Sequence, residues 1–291
     1  MKIISTCLSA VFLFIQVSVS QQIYVASAKS KGIEQFLNEN RVSTAFFVYE
    51  NSFVTANKFD KSKLVDFINQ NIPNPNATGI AVLDCEGPAY KKLFSSSLKL
   101  REESISMFID VIKTAKKMRP KMRWSFYSIP SREFYNLDSS WKNSNIKLAK
   151  LISELDFIAP SIYILFGDSE ISRERTKEYF DGNIKFSLEL GRKYSKEVMP
   201  IVWHRYHPWN KKFGDQLIPA PVFADYISMM QNIKYGNRGI SGIIWWHSEE
   251  YNYRMRSTNR IYSDEYRNKD KDEVQYEIFN TYYKEIKRKL R

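Results

Sequence analysis

Short apolar runs rich in β-branched and aromatic residues alternate along the chain with longer stretches whose apolar positions recur at helical spacing. That alternation predicts βα units around a parallel sheet. The strand candidates are residues 44–49, 79–84, 123–127, 157–163, 199–206 and 240–246. Helical stripes lie between most of them. Asp60 is placed to cap a helix carrying Leu64, Phe67 and Ile68, and residues 103–118 align Ile105, Phe108, Ile109 and Ile112; residues 173–194 and 221–233 are similar. Beyond Glu249 the pattern predicts a polar connection, then from about residue 270 a last amphipathic helix with Val274, Ile278, Tyr282 and Ile286 on one face. Polar and aromatic residues fall at the C-terminal ends of the strands, among them Asp84, Tyr163, Tyr206 and Trp246. Barrel enzymes place their chemistry there, so the expected fold is an α/β protein: a distorted TIM-like (β/α) barrel of seven or eight strands with a C-terminal helix. No G-x-G-x-x-G or Walker pattern follows any strand, which argues against a nucleotide site.

Length adds that residues 21–291 suit one large domain. Residues 1–20 have the form of an export signal: Lys2, an interrupted apolar run from Ile3 to Val19, and small residues before Gln21. Cleavage after Ser20 would send the protein out of the cell, leave no stable membrane span and remove Cys7. Cys85 would then be the only cysteine, so the fold must hold by core packing alone. The net charge of +12 makes a polyanion the natural partner. Charge alone also fits nucleic acid, but nothing else in the sequence supports that partner and none is expected.

The chemistry concentrates in Gly79-Ile80-Ala81-Val82-Leu83-Asp84-Cys85-Glu86-Gly87-Pro88, an apolar strand ending in two acids one residue apart. Period two puts Ile80, Val82, Asp84 and Glu86 on one face and Cys85 on the other, with the two carboxylates about 7 Å apart. Two acids beside an apolar strand raise each other's pKa, which suits one to act as a proton donor while the other orients or stabilises positive charge. A solvent-facing pair, or one bound to Arg, is the alternative.

This segment resembles the hyaluronidase family, where an apolar strand runs into D-W-E or D-F-E. Trp124-Ser125-Phe126-Tyr127-Ser128-Ile129-Pro130 with Tyr135-Asn136 looks like that family's W-G-Y-Y-x-F-P-x-C-Y-N. Pro160-Ser161-Ile162-Tyr163 is similar to P-S-I-Y, residues 199–206 (MPIVWHRY) to L-P-Y-x-x-x-x-Y, and Gly242-Ile243-Ile244-Trp245-Trp246 to G-V-V-L-W, all in the family's order. The resemblance implies a barrel that cleaves β-linked N-acetylhexosamine polymers such as hyaluronan with retention, the sugar's acetamido oxygen being the nucleophile. It implies Glu86 as acid and then base, and Asp84 as the orienter of the acetamido N–H. Tyr163 and Tyr206 would be hydrogen-bond partners, Trp246 a wall beside the N-acetyl methyl, and Tyr127 a further substrate contact. No cofactor or metal is implied.

The chain departs from the pattern at Cys85, at Gly87-Pro88-Ala89-Tyr90 where W-R-P is expected, and in lacking the family's disulfides. Subsite contacts should differ accordingly, and a carbohydrate-binding or antigenic surface protein on the same barrel is the second reading. Cys85 is expected to be a buried hydrophobe and not a nucleophile. His204 and His207 lack a carboxylate at metal-site spacing, so a structural or sugar-contact role is expected. Asn76-Ala77-Thr78 is a glycosylation sequon in a loop.

Overall fold

A computed structural model describes residues 22–27 and 30–290, so the expected export signal lies outside the described residues. Six parallel strands form one curled sheet: β1 (Gln22–Ala26), β2 (Ser43–Tyr49), β3 (Gly79–Asp84), β4 (Met122–Phe126), β6 (Ile201–Trp203) and β7 (Gly242–Trp246). Between β4 and β6 in the chain comes the short β5 (Phe157–Ile158), which pairs with a two-residue strand at Glu197–Val198. The sheet order β4-β3-β2-β1-β7-β6 leaves β4 and β6 as its edges. The continuation of β5 joins them, because Tyr127 bridges Ala159 and Ser161 bridges Ile201. Seven segments thus close a ring, within the expected seven or eight.

The strands are shorter than their apolar runs. Residues 157–163 and 199–206 each contain a proline that cannot donate to a ladder, at Pro160 and Pro200, so regular pairing is confined to short pieces beside them. β1 escaped the pattern reading because Gln22-Ile23-Tyr24-Val25-Ala26 directly follows the apolar leader and its flanks carry no turn signal. The supposed polar connection after Glu249 is also corrected: it contains two short helices, Glu249–Met255 and Arg260–Glu265.

Alternation sorts the strand side chains into two cores. Tyr24 and Ala26, Ala45 and Phe47, Ile80 and Val82, Phe157, Ile201 and Ile244 fill the barrel interior. Val25, Val48, Leu83, Trp124, Phe126, Val202 and Trp245 face the helices outside. Those helices include α1 (Lys31–Asn40), α2 (Lys61–Asn71), α3 (Leu98–Met118), α4 (Arg173–Tyr194), α5 (Ala220–Gln231) and α6 (Lys271–Lys289). Asp60 caps α2 by accepting from the Lys63 N–H at 3.1 Å, as its position predicts, and Asp270 caps α6 in the same way. Val274, Ile278, Tyr282 and Ile286 are buried where α6 packs on α1 and α5, and Phe279 beside them meets Trp245 at 4.8 Å. Among the described residues no helix is long and apolar enough to cross a membrane.

Candidate active site

Inward positions continue past the strand ends. β3 carries Ile80 and Val82 into the interior, so Asp84 emerges above them at the C-terminal mouth, in register with Tyr49 of β2. Cys85 turns outward and is buried in the helix-facing core, where burial raises its thiol pKa; that environment suits a small hydrophobe. Glu86 lies just beyond the strand and reaches the mouth of the barrel. Its turn is held by Glu50, whose Oε2 accepts from the backbone N–H groups of Glu86 at 3.1 Å and Gly87 at 2.7 Å. Glu50 carried no sequence signal, because it stands 36 residues away and meets the turn only across β2 and β3.

The two acids occupy different settings. Asp84 is half-buried, and its Oδ1 is shielded from solvent with no hydrogen-bond partner among the described residues. Burial, reinforced by the negative charges of Glu86 and Glu50, pushes its pKa up to about 7. Glu86 is more exposed; partial burial raises its pKa, the Arg132 guanidinium opposes the rise, and Glu50 adds to it. Of the two, Asp84 is the one whose shift brings it close to neutral pH, with the charge of Glu86 part of the cause.

Aromatic rings build the wall around them. Tyr163 stacks on Trp246 with centroids 5.8 Å apart and lies 5.9 Å from Tyr127. The Tyr127 hydroxyl exchanges a hydrogen bond with Ser161 Oγ at 2.9 Å. Trp203, which the sequence reading did not single out, meets Trp246 at 5.0 Å and Tyr163 at 5.7 Å. Its indole N–H is buried and without a partner among the described residues. The Trp246 indole donates to the Tyr49 hydroxyl at 3.3 Å, making Tyr49 another member the sequence did not flag.

Tyr163, Trp246 and Tyr127 are therefore brought together with Asp84 and Glu86, and Tyr206 is placed elsewhere. Ile201 and Trp203 take the inward positions of β6, which turns Val202 and His204 outward. Tyr206 follows them into a hairpin where Arg205 bridges Leu217. Its ring packs on Phe213 at 5.5 Å, and the charges acting on it are those of Asp168 and Glu170.

His204 belongs to a second polar cluster. Its Nδ1 accepts from the Trp245 indole at 2.9 Å and its Nε2–H donates to Glu249 at 3.1 Å, which fixes the neutral tautomer. Burial holds its pKa down at about 4 despite the nearby carboxylate. Arg205 grips Glu249 at 3.0 and 2.9 Å and Glu265 at 2.8 Å twice, and the Tyr266 hydroxyl donates to Glu249 at 3.1 Å. These contacts tie β6 to the two short helices after β7. No group of three His, Cys, Asp or Glu residues that could hold a metal occurs among the described residues.

Fold and site together define a (β/α)-barrel protein with a carboxylate pair and an aromatic wall at the C-terminal ends of its strands. Comparison places it more closely. No protein-family model matches the sequence. A hyaluronidase of Apis mellifera is 25% identical over 183 residues, 48% of this chain and 47% of that protein. The hyaluronidase Tab y 2.0101 of Tabanus yao is 24% identical over 206 residues, 56% of this chain and 58% of that protein. The chain thus spans about half the length of the curated relatives it matches. The crystal structure of bee venom hyaluronidase superposes with a TM-score of 0.59 at 16% identity, covering 87% of this chain and 99% of that one. The bee enzyme's complex with a hyaluronic acid tetramer gives 0.58 over 89% of this chain and 99% of that one, also at 16% identity. The chain is thus similar to hyaluronidases in part of its sequence and in its fold.

Proposed function

We propose that the chain is an exported glycoside hydrolase that cleaves β-linked N-acetylhexosamine polysaccharide, hyaluronan or a chondroitin-like chain, with retention. The observation that carries this reading is Asp84: a shielded carboxyl oxygen without a hydrogen-bond partner among the described residues, beside Glu86, at the mouth of a barrel. Hyaluronidases among its relatives, and a bee relative solved with a hyaluronic acid tetramer, support the substrate class. The apolar leader of residues 1–20 supports export.

In the proposed cycle the acetamido N–H donates to Asp84, which favours the ionised form of that acid, while Glu86, its own pKa raised by burial, carries the proton. The acetamido oxygen attacks the anomeric carbon as Glu86 gives its proton to the departing glycosidic oxygen, and the C–O bond breaks. Glu86, now ionised, takes a proton from water as the water oxygen attacks the same carbon, reopening the cyclic intermediate with net retention. Trp246 and Tyr163 wall the N-acetyl group.

Release of reducing ends from hyaluronan and chondroitin by the wild-type protein, lost in Glu86→Gln, is the expected result. Absence of product from any N-acetylhexosamine polymer overturns the hydrolase reading. The change to Gly87-Pro88 just after the acids favours one second reading, a carbohydrate-binding protein on the same barrel. Saturable polysaccharide binding without product over long incubation would select it.

A further inference from the structure

The turn that carries Glu86 is braced by an acid from the neighbouring strand. β2 ends at Tyr49, whose partner in register is Asp84, and the chain then makes a single 3-10 turn, Glu50–Ser52, pinned by the fully buried Phe53. Glu50 is thereby fixed at its backbone, and its side chain crosses to the end of β3. One oxygen, Oε2, accepts from the backbone N–H groups of both Glu86 and Gly87. The other, Oε1, occupies the space that a side chain at 87 would need, because a Cβ there would stand 2.2 Å from it. Gly87 itself has an ordinary extended backbone, with φ −73° and ψ −161°. Its missing side chain therefore permits close approach and not an unusual conformation.

Glu50 and Gly87 stand where this chain leaves the hyaluronidase pattern, with Gly87-Pro88-Ala89-Tyr90 in place of W-R-P. Glu50 makes no ion pair among the described residues and is held by its two backbone donors. Hydrogen bonds to a carboxylate are stronger than those between neutral groups. The other ionisable groups around the acid pair are Arg132, which acts on Glu86, and Tyr49, Tyr90, Tyr127 and Tyr163, each held neutral by a pKa that burial raises. Glu50 is the anion that acts on both acids from outside the pair.

We infer that Glu50 is a positioning residue for the reaction: with Gly87 it forms a matched pair that clamps the turn after β3 and aims the Glu86 carboxyl into the mouth of the barrel. The inference rests on the hydrolase reading above and accounts for the change to Gly87 without loss of catalysis. A proton donor acts only from the right place, and misplacement by about 1 Å costs about 10²-fold. The charge of Glu50 has a second consequence. It favours the protonated forms of Asp84 and Glu86, and so moves toward higher pH the range in which the pair holds a proton.

The test is a double-mutant cycle on hyaluronan hydrolysis by the full chain, with Glu50→Ala, Gly87→Ala and both together, and Glu50→Gln as the conservative variant. The oxygen that Gly87→Ala would meet ends a flexible side chain, so that change should displace Glu50 and leave the fold intact. Each single change should lower kcat about 10- to 100-fold and leave KM within about 3-fold, and the double variant should be no worse than the poorer single one, since both remove the same clamp. Glu50→Gln keeps an acceptor for the two N–H groups but not the charge. It should recover most of kcat and shift the pH profile to lower pH by about half a unit or more. Losses that multiply in the double variant, or a Glu50→Gln profile that does not move, overturn the proposal. So does a lower melting temperature in Glu50→Ala with activity per folded molecule unchanged, the mark of a purely structural contact. Failure of the wild type to cleave any N-acetylhexosamine polymer removes the hydrolase reading, and hydrogen exchange then tests the clamp alone. The Glu86 amide should exchange about 10-fold faster in both Glu50→Ala and Gly87→Ala, and an unchanged rate in either overturns the clamp as well.

Discussion

Asp84 and Glu249 are both acids withdrawn from water at the C-terminal side of a barrel strand, the first ending β3 and the second following β7, yet their surroundings push them in opposite directions. Burial acts on both to favour the neutral form. At Glu249 that tendency is overcome by the charge of Arg205 and the donors of His204, Arg205 and Tyr266, and its pKa is held well below the usual carboxylate range. At Asp84 the neighbouring charges among the described residues are negative, and the pKa climbs to about 7. A saturated acid holds a fold together, whereas an orphaned one is available to a ligand.

The largest break in this contrast should come from Glu86→Gln. It should lower hydrolysis about 10²- to 10⁴-fold with an unchanged melting temperature, because the exposed side chain carries proton transfer and little packing. Activity assays beside thermal melts check it, and equal losses in both would place Glu86 with the structural acids. Arg205→Met should do the reverse. It strands Glu249 and Glu265 without their cation and should cost about 3–5 kcal/mol in denaturant unfolding, with activity per folded molecule largely kept.

The pH dependence of stability should separate the two acids by sign. Asp84 binds its proton more tightly in the folded chain, so its contribution is fully present below pH 3.8 and is lost as pH rises to about 7. Asp84→Asn should therefore stabilise the fold above pH 7, by about 1–4 kcal/mol. His204 and Glu249 behave in the opposite way. The neutral imidazole is favoured in the fold, so its contribution is lost as pH falls from 6.5 toward 4, and that of Glu249 is lost below its ordinary 4.5. Chemical unfolding of wild type, Asp84→Asn and Arg205→Met across this range resolves the two limbs. A common slope in all three proteins would erase the distinction. The smallest effect belongs to Tyr49→Phe, which removes the acceptor of the Trp246 indole. It should raise the substrate KM about 2- to 5-fold and leave stability within about 1 kcal/mol.

Much of the barrel was legible because its strands are apolar runs with prolines and glycines at their ends, and its helices carry capped stripes. Asp60 and the face of Val274, Ile278, Tyr282 and Ile286 needed no tertiary information. The candidate site divides along the same line. Asp84, Glu86 and the outward turn of Cys85 follow from period two along one strand, a local property. Glu50, Arg132, Tyr49 and Trp203 were not legible, since they reach the mouth from three other βα units and none shares a short spacing with the acid pair. Tyr206 shows the limit of a motif: its place in the sequence pattern is right, but the inward positions of β6 go to Ile201 and Trp203, and Tyr206 turns to Phe213.

The sequence by itself determined the alternation of elements, the two acids at the end of β3 and the excess of positive charge. Only the tertiary structure decided which charges those acids feel. Closing the ring set Glu50 under the turn of Glu86, faced Asp84 with the negative charges of Glu86 and Glu50, and gave Glu249 a cation. Coulomb interaction and desolvation depend on distance and burial through space, and neither is written in the order of residues along a chain.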